Sequence, residues 1–291
     1  MEKRILRSFV VMAGFLVAAK SASAIDIYPA DYTILPPGTT LALGYLGFKS
    51  SHEFNLDGVG DVPGSSLNQT IGIARVLHYS QIAGIPVAYQ VYLPFANLSN
   101  FKVGGASPQT NNGMGDITFG FTAFLVNRPD PVYGTTVGIT PYVSLPTGKY
   151  DVNRSGPGAG AVTFTPQLGV IQGLGHNFYF DGAIDVAVQT GHSNAGQQIS
   201  VHPSIELQTY LRYQISAASS VSFGYAGYFG GKQYINDAYN GQETSSSELR
   251  LYASHMLTPT WQVAGMVGKA VANEGGFKNS YSVQIRVMKI F

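Results

Sequence analysis

The feature that most constrains this chain is a period-two alternation of apolar and polar residues that returns again and again along its length. In 204–215, Ile205, Leu207, Thr209, Leu211 and Tyr213 alternate with Ser204, Glu206, Gln208, Tyr210, Arg212 and Gln214. Successive side chains of a strand point to opposite faces, so this stretch is a strand with one apolar and one polar, charged face. The segment 178–188 repeats the pattern, with Phe178, Phe180, Ile184, Val186 and Val188 opposed by Tyr179, Asp181, Asp185 and Ala187. So does 136–145, where Val137, Ile139, Val143 and Leu145 alternate with Thr136, Thr140, Tyr142 and Ser144. A helical period would bring Glu206 and Asp185 among the apolar residues, so a helix is excluded there.

The same reading places about twelve strands, near 39–49, 66–78, 86–96, 115–127, 134–146, 161–173, 176–189, 202–215, 219–230, 244–257, 260–270 and 278–291. Their connections sort into two kinds. Those near 79–85, 128–133, 174–175, 216–218 and 258–259 are short and marked by turn residues. Those near 50–65, 97–114, 147–160, 190–201, 231–243 and 271–277 are longer and rich in Gly, Asn, Asp and Ser. Short turns at one end and long loops at the other are the pattern of an even-stranded transmembrane barrel. A sheet in lipid must close, because hydrocarbon offers its edge no hydrogen-bond partner. The expected fold is therefore all-β: an antiparallel up-and-down β-barrel over 39–291.

Composition agrees. Charged residues are 11% of the chain, well below the roughly 25% of soluble domains, while aromatics reach 12% and glycine 35 residues. A soluble sandwich needs a charged outer face; a barrel facing lipid does not. No run of about eighteen apolar residues follows the start, so helical spans are not expected. There is no cysteine, and the net charge of +1 gives no footprint for nucleic acid. The start itself reads as a secretory signal peptide over 1–24: Lys3, Arg4 and Arg7, then an apolar stretch, then Ala22-Ser23-Ala24 at a cleavage spacing. Ile25 would be the first mature residue. The expected location is the outer membrane of a Gram-negative bacterium, with membrane lipid, a small-molecule solute and the barrel-insertion machinery as partners.

In the last strand Tyr281, Val283, Ile285, Val287 and Phe291 share one face, and the chain stops at an aromatic. This is similar to the C-terminal signal read by the insertion machinery, except at Lys289, whose stem can lie along lipid with its ammonium among headgroups. Tyr45, Tyr89, Phe95, Phe119, Phe121, Tyr213 and Trp261 are expected on the outer face, several of them as interfacial girdle. The segment 25–38 carries three prolines and is extended, unable to join a central strand. As a lone terminus it is expected to be a periplasmic tail rather than a strap entering the lumen.

Several short motifs carry a resemblance. They are the Tyr-Pro-Ala start with Leu35-Pro36-Pro37-Gly38, then Gly113-Met114-Gly115-Asp116, Leu145-Pro146-Thr147-Gly148-Lys149-Tyr150-Asp151 and Phe164-Thr165-Pro166-Gln167-Leu168-Gly169, and the resemblance covers nearly the whole mature chain. In these the sequence resembles the proteobacterial outer-membrane family named for the meta-pathway of phenol degradation. The resemblance implies a barrel that passes small hydrophobic or aromatic compounds across the outer membrane, without naming a substrate.

Few residues look catalytic. None of the six histidines forms an HxxxH or HExxH array, and His192-Ser193-Asn194 has the residue types of a hydrolase but lies in one consecutive loop. No catalytic, metal-binding or cofactor-binding residue is assigned, and no cofactor is implied. The informative positions are the inward ones: Tyr92, Asp116, Tyr142, Tyr179, Asp181, Asp185, Glu206, Tyr210, Arg212, Tyr228, Glu248, Arg250, Tyr252 and Arg286. Either these brace a narrow lumen by cross-strand pairing, or their tyrosines line a path for a small solute. A barrel of this size has no room for a wide pore once its lumen is filled, and mixed charge disfavours strongly anionic sugars. A narrow, lined conduit is the leading reading. A structural or adhesive barrel acting through its outer loops is the alternative, and an outer-membrane hydrolase the weaker one.

Overall fold

The computed structural model describes residues 25–243 and 245–291, so the expected signal peptide lies outside the described residues. Among these, twelve long strands form the barrel: β1 (Thr40–Leu56), β2 (Ser66–Ile82), β3 (Ile85–Lys102), β4 (Ile117–Arg128), β5 (Thr135–Leu145), β6 (Thr163–Gly175), β7 (Phe178–Gln189), β8 (Ser204–Gln214), β9 (Ser219–Gly230), β10 (Ser245–Thr258), β11 (Trp261–Glu274) and β12 (Gly276–Ile290). Each pairs antiparallel with its neighbour in sequence. β12 pairs back onto β1, from Leu41↔Ile290 to Asn55↔Gly276. The ring has no free edge, as lipid requires.

At the short-turn end the hairpins are tight. Ala83-Gly84 (φ 48° and 83°) and His176-Asn177 (φ 51° and 64°) both place two left-handed residues between strands, the geometry whose twist matches that of a two-residue hairpin. At the other end the strands run further than the alternation indicates. β1 and β3 are 17 and 18 residues long, where about eleven cross a bilayer. The segments 50–65 and 97–114 are thus partly strand, because Phe54, Leu67, Leu98 and Phe101 turn inward and bury one another at the top of the barrel. Likewise 271–277 is no loop: β11 and β12 meet at Gly275 (φ 69°). Their ladder spans only Trp261↔Lys289 to Gly268↔Ser282. Above it β11 stays paired with β10 and β12 with β1. The loops over 190–201 and 231–243 join in a small sheet of His192–Asn194, Gln197–Val201, Gln233–Ile235 and Ala238–Tyr239.

The outer face is an apolar belt. Leu211, Phe223, Leu251, Val267 and Val283 are successive register partners around the wall, continuing to Phe48 on β1. Leu251 and Val267 are 55% and 51% exposed, which only a hydrocarbon solvent rewards. The belt, the closed sheet and the two classes of turn place the chain in an outer membrane. At the short-turn end the Lys289 ammonium lies 5.0 Å from the Trp261 ring and bonds Thr260 Oγ1 at 2.9 Å. The charge in the terminal signal is therefore held against an interfacial aromatic.

One outward expectation is wrong. Tyr45 points inward, its hydroxyl accepting from Arg75 (3.1 Å) and its ring meeting Tyr28 at 5.9 Å. It shares a face with buried Leu41 and Leu43. The inner wall of β1 is apolar because something apolar packs on it, and apolar character alone then misassigns the face. Leu251 sits seven residues above the short-turn end of β10, near mid-belt. Leu251→Lys is expected to destabilise the barrel by about 2–4 kcal/mol, measured by urea unfolding in lipid vesicles.

Candidate functional site

What packs on β1 is the proline-rich segment 25–38. It is not a periplasmic tail: it enters at the short-turn end, where Gly38 N donates to Tyr79 O (2.8 Å), and climbs inside the barrel to Ile25. The reason is charge and shape. Arg75 and Arg286 point into the lumen and are buried, and a peripheral tail would leave both without a counter-charge. The strap supplies Asp31, which takes Arg75 at 3.0 Å on one oxygen and Arg286 at 2.6 Å on the other.

Below Asp31, Tyr32 fills the lumen. Its hydroxyl donates to Gln167 Oε1 at 3.0 Å and meets Thr140 Oγ1 at 3.2 Å. Its ring lies on Gly138 and Gly169, register partners on β5 and β6, where a Cβ on Gly169 would enter the ring itself. Gly169 closes one of the sequence motifs, and its missing side chain is the seat for Tyr32. Ala30 N donates to Asp181, which also holds Arg212 at 2.8 Å; Arg212 stacks on Tyr179 at 4.3 Å. Higher still, Asp26 takes Arg250 at 2.6 Å and the Tyr228 hydroxyl at 2.8 Å, while Arg250 also holds Glu248 at 2.7 Å. Tyr210 and Tyr252 meet edge to face beside Tyr28. Tyr92 and Tyr142 converge on Gln90, with Arg75 4.8 Å over the Tyr92 ring.

All fourteen inward candidates thus belong to one network around the strap or line the space above it. Asp185 and Glu206 face each other across β7 and β8. Asp116 lines that space from the head of β4. Its two oxygens accept from Gly148 N (2.8 Å) and Ala159 N (2.7 Å), pinning the 146–162 loop. Two sequence motifs meet at this point, since Gly148 closely approaches the backbone at Gly115 and Asp116. Arg75, Gln90, Gln167 and Gln208, and the strap's Asp26, Tyr28, Asp31 and Tyr32, were missing from the candidates. Only the composition of the strap, acids and tyrosines between prolines, signalled them.

Above the strap lies a cavity of about 310 Å³. Its floor is Ile25, Asp26 and Tyr28, its walls include Tyr45 and Tyr92, and its roof is the cluster of Phe54, Leu67, Leu98, Phe101 and Phe277. At the outer rim Asp57, Glu243 and Glu274 converge, but the Lys232 ammonium already reaches Asp57 (3.0 Å) and Glu243 (3.5 Å). Asp57 is held below the usual carboxylate range by the hydrogen bonds of Lys232 and Tyr239. His192 packs edge-on to Tyr150, with no hydrogen bond to either ring nitrogen; no base–nucleophile pair forms with Ser193.

The model of the family described as "Putative MetA-pathway of phenol degradation" matches residues 51–286. The chain belongs to this family. Among solved structures, an outer-membrane channel of Pseudomonas putida F1 superposes with a TM-score of 0.81 at 22% identity, covering 91% of this chain and 100% of that one. The transport unit of the autotransporter AIDA-I of Escherichia coli gives 0.47 at 10% identity, covering 98% and 97%. The translocator domain of the autotransporter NalP of Neisseria meningitidis gives 0.46 at 11%, covering 88% and 90%. No curated protein matches. The first of these carries the twelve-stranded outer-membrane fold to this family member over nearly its whole length.

Asp31 is the hinge of the strap's docking. Burial pushes its carboxyl up, but Arg286 and Arg75 outweigh burial and hold it below the usual range. Its folded value is depressed, so its contribution is complete above about pH 4 and is lost only as pH falls through the folded value. Asp31→Asn leaves two buried guanidiniums facing a neutral group and is expected to cost about 3–5 kcal/mol, read by urea unfolding at pH 7; the difference from wild type should shrink toward pH 2. Gly169→Val, which removes the seat of Tyr32, is expected to raise chymotrypsin cleavage after Tyr32 while the barrel stays intact.

Proposed function

We propose that the chain is an outer-membrane channel for the passive uptake of small hydrophobic or aromatic compounds. The observation that carries this reading is the cavity between strap and roof. Its volume of about 310 Å³ suits one small molecule, its walls present tyrosine rings beside polar groups, and the apolar cluster of Phe54, Leu67, Leu98, Phe101 and Phe277 lies at its outer end. The family description, which concerns phenol degradation, supports the same solute class. The strap fills the lower lumen, which argues against a wide diffusion pore, and the interleaved acids and arginines argue against a path for polyanions. No step consumes energy or a cofactor; the solute moves down its gradient. We assign no catalytic group, and the structures named above are channels and translocators rather than enzymes. A second reading has one observation in its favour. The ion pairs that knit the strap to the wall make the lower lumen a brace, as a structural or adhesive barrel acting through its rim would need.

Single-channel conductance of the mature protein in a planar bilayer separates these readings. Small discrete steps that phenol-like solutes block are the expected result. Phe54→Ala, which removes a roof ring worth about 1.5–3 kcal/mol of apolar contact, should weaken that block about tenfold or more. A correctly inserted barrel that is silent, and that admits no phenol to vesicles, would overturn the proposal in favour of the structural barrel.

A further inference from the structure

Most of the lumen's acids have an arginine. Asp31 has Arg75 and Arg286, Asp181 has Arg212, and Asp26 and Glu248 share Arg250. Asp185 and Glu206 form no ion pair among the described residues: Arg250 is already engaged by Asp26 and Glu248, and Lys49, on the same cavity wall, pairs with neither. They are register partners on β7 and β8, so two acids stand side by side, an arrangement that repels unless something positive lies between. Both are buried, 2% exposed each. Asp185 accepts one bond, from Gln167 Nε2 at 2.9 Å. Neither oxygen of Glu206 receives any. The hydroxyl of its register partner Tyr228 gives its single proton to Asp26.

The strap's first described residue lies against this pair. The Ile25 carbonyl accepts from Gln167 Nε2 (2.9 Å) and Gln208 Nε2 (3.2 Å). The same Gln167 nitrogen holds Asp185, and Gln208 stands two residues from Glu206 on the same inner face. Ile25, Asp185 and Glu206 line one cavity. Within the chain Ile25 offers one uncharged N–H. As a free terminus it offers an ammonium with three donors. Given cleavage after Ala24, we infer that the α-ammonium of Ile25 is the counter-ion of Asp185 and Glu206: the barrel wall carries a receptor for its own processed N-terminus. Removal of residues 1–24 thereby creates the charge that seats the upper strap. The pairing reaches beyond the channel reading and stands whether or not solute passes.

The test begins with the intact mass of protein taken from the outer membrane, which should show loss of 24 residues; another cleavage site overturns the inference. The α-amine is then titrated by competitive acetylation across pH, read by mass spectrometry of the N-terminal peptide. Asp26, Lys49, Arg250 and Tyr228 are the other charged and titratable groups around it, and they are present in every variant. The wild-type midpoint should lie at least about one unit above the ordinary 7.7–8.0. In Glu206→Gln with Asp185→Asn it should fall back to that range or below, with Asp185→Asn alone intermediate should the double variant fail to fold. An ordinary midpoint in wild type, or one that the variants do not move, would mean that the two carboxyls instead share a proton, and the inference would fall. A third reading uses stability. Pre-acetylated Ile25 should lower the melting temperature of wild type and leave the double variant unchanged; equal losses in both would also overturn the pairing.

Discussion

A backbone that crosses hydrocarbon has to satisfy every N–H and C=O within itself. Here that demand is met by the β1–β12 seam, which joins Leu41 to Ile290 and Asn55 to Gly276. Closure creates an inside, and the inside creates the next problem. A twelve-stranded ring is too wide for its own side chains to fill and too narrow for a water-filled pore of general use. The strap is the answer to the remainder. It occupies the space that closure leaves, and its side chains are matched to those the wall turns inward.

That matching is expensive in desolvation. Charges this far from water are stable only when geometry is good on both sides, and removing one partner costs more than the pair was worth. Asp31, with one oxygen on each of two arginines from opposite ends of the sequence, is better understood as fixing where the strap sits than as strengthening the barrel. Tyr32 fixes the same thing by shape, since its ring fits only where Gly138 and Gly169 leave the wall bare. Charge sets the height and the glycine seat sets the angle. The cavity above inherits both, because its floor is the strap.

The alternation made the barrel, its twelve strands and its lipid face legible, since period two is read directly from residues such as those at 204–215. Strand ends at the outer rim were not, because Phe54 and Phe101 extend their strands through contacts with each other rather than through alternation. Tyr45 shows the limit from another side. Sequence reveals that a strand has two unlike faces but not what each face meets, and on β1 the inner face meets a strap rather than water. The strap's course was illegible for the same reason: a proline-rich terminus says only that it is no strand. Its destination lies in arginines more than forty residues away at the nearest and 255 at the furthest.

The order of synthesis adds a consequence. The strap leaves the ribosome before any strand, yet Arg250 and Arg286 sit on β10 and β12, among the last. Its docking is therefore complete only when the C-terminal hairpin reaches the seam, although Arg75, Asp181 and the Gly138–Gly169 seat stand on earlier strands. Bringing such distant residues together adds little entropy beyond that of closing the ring, since loop cost rises only with the logarithm of length. The strap thus acts as a latch whose last contacts close when the door has shut: a segment made before any strand is among the last to be held on every side.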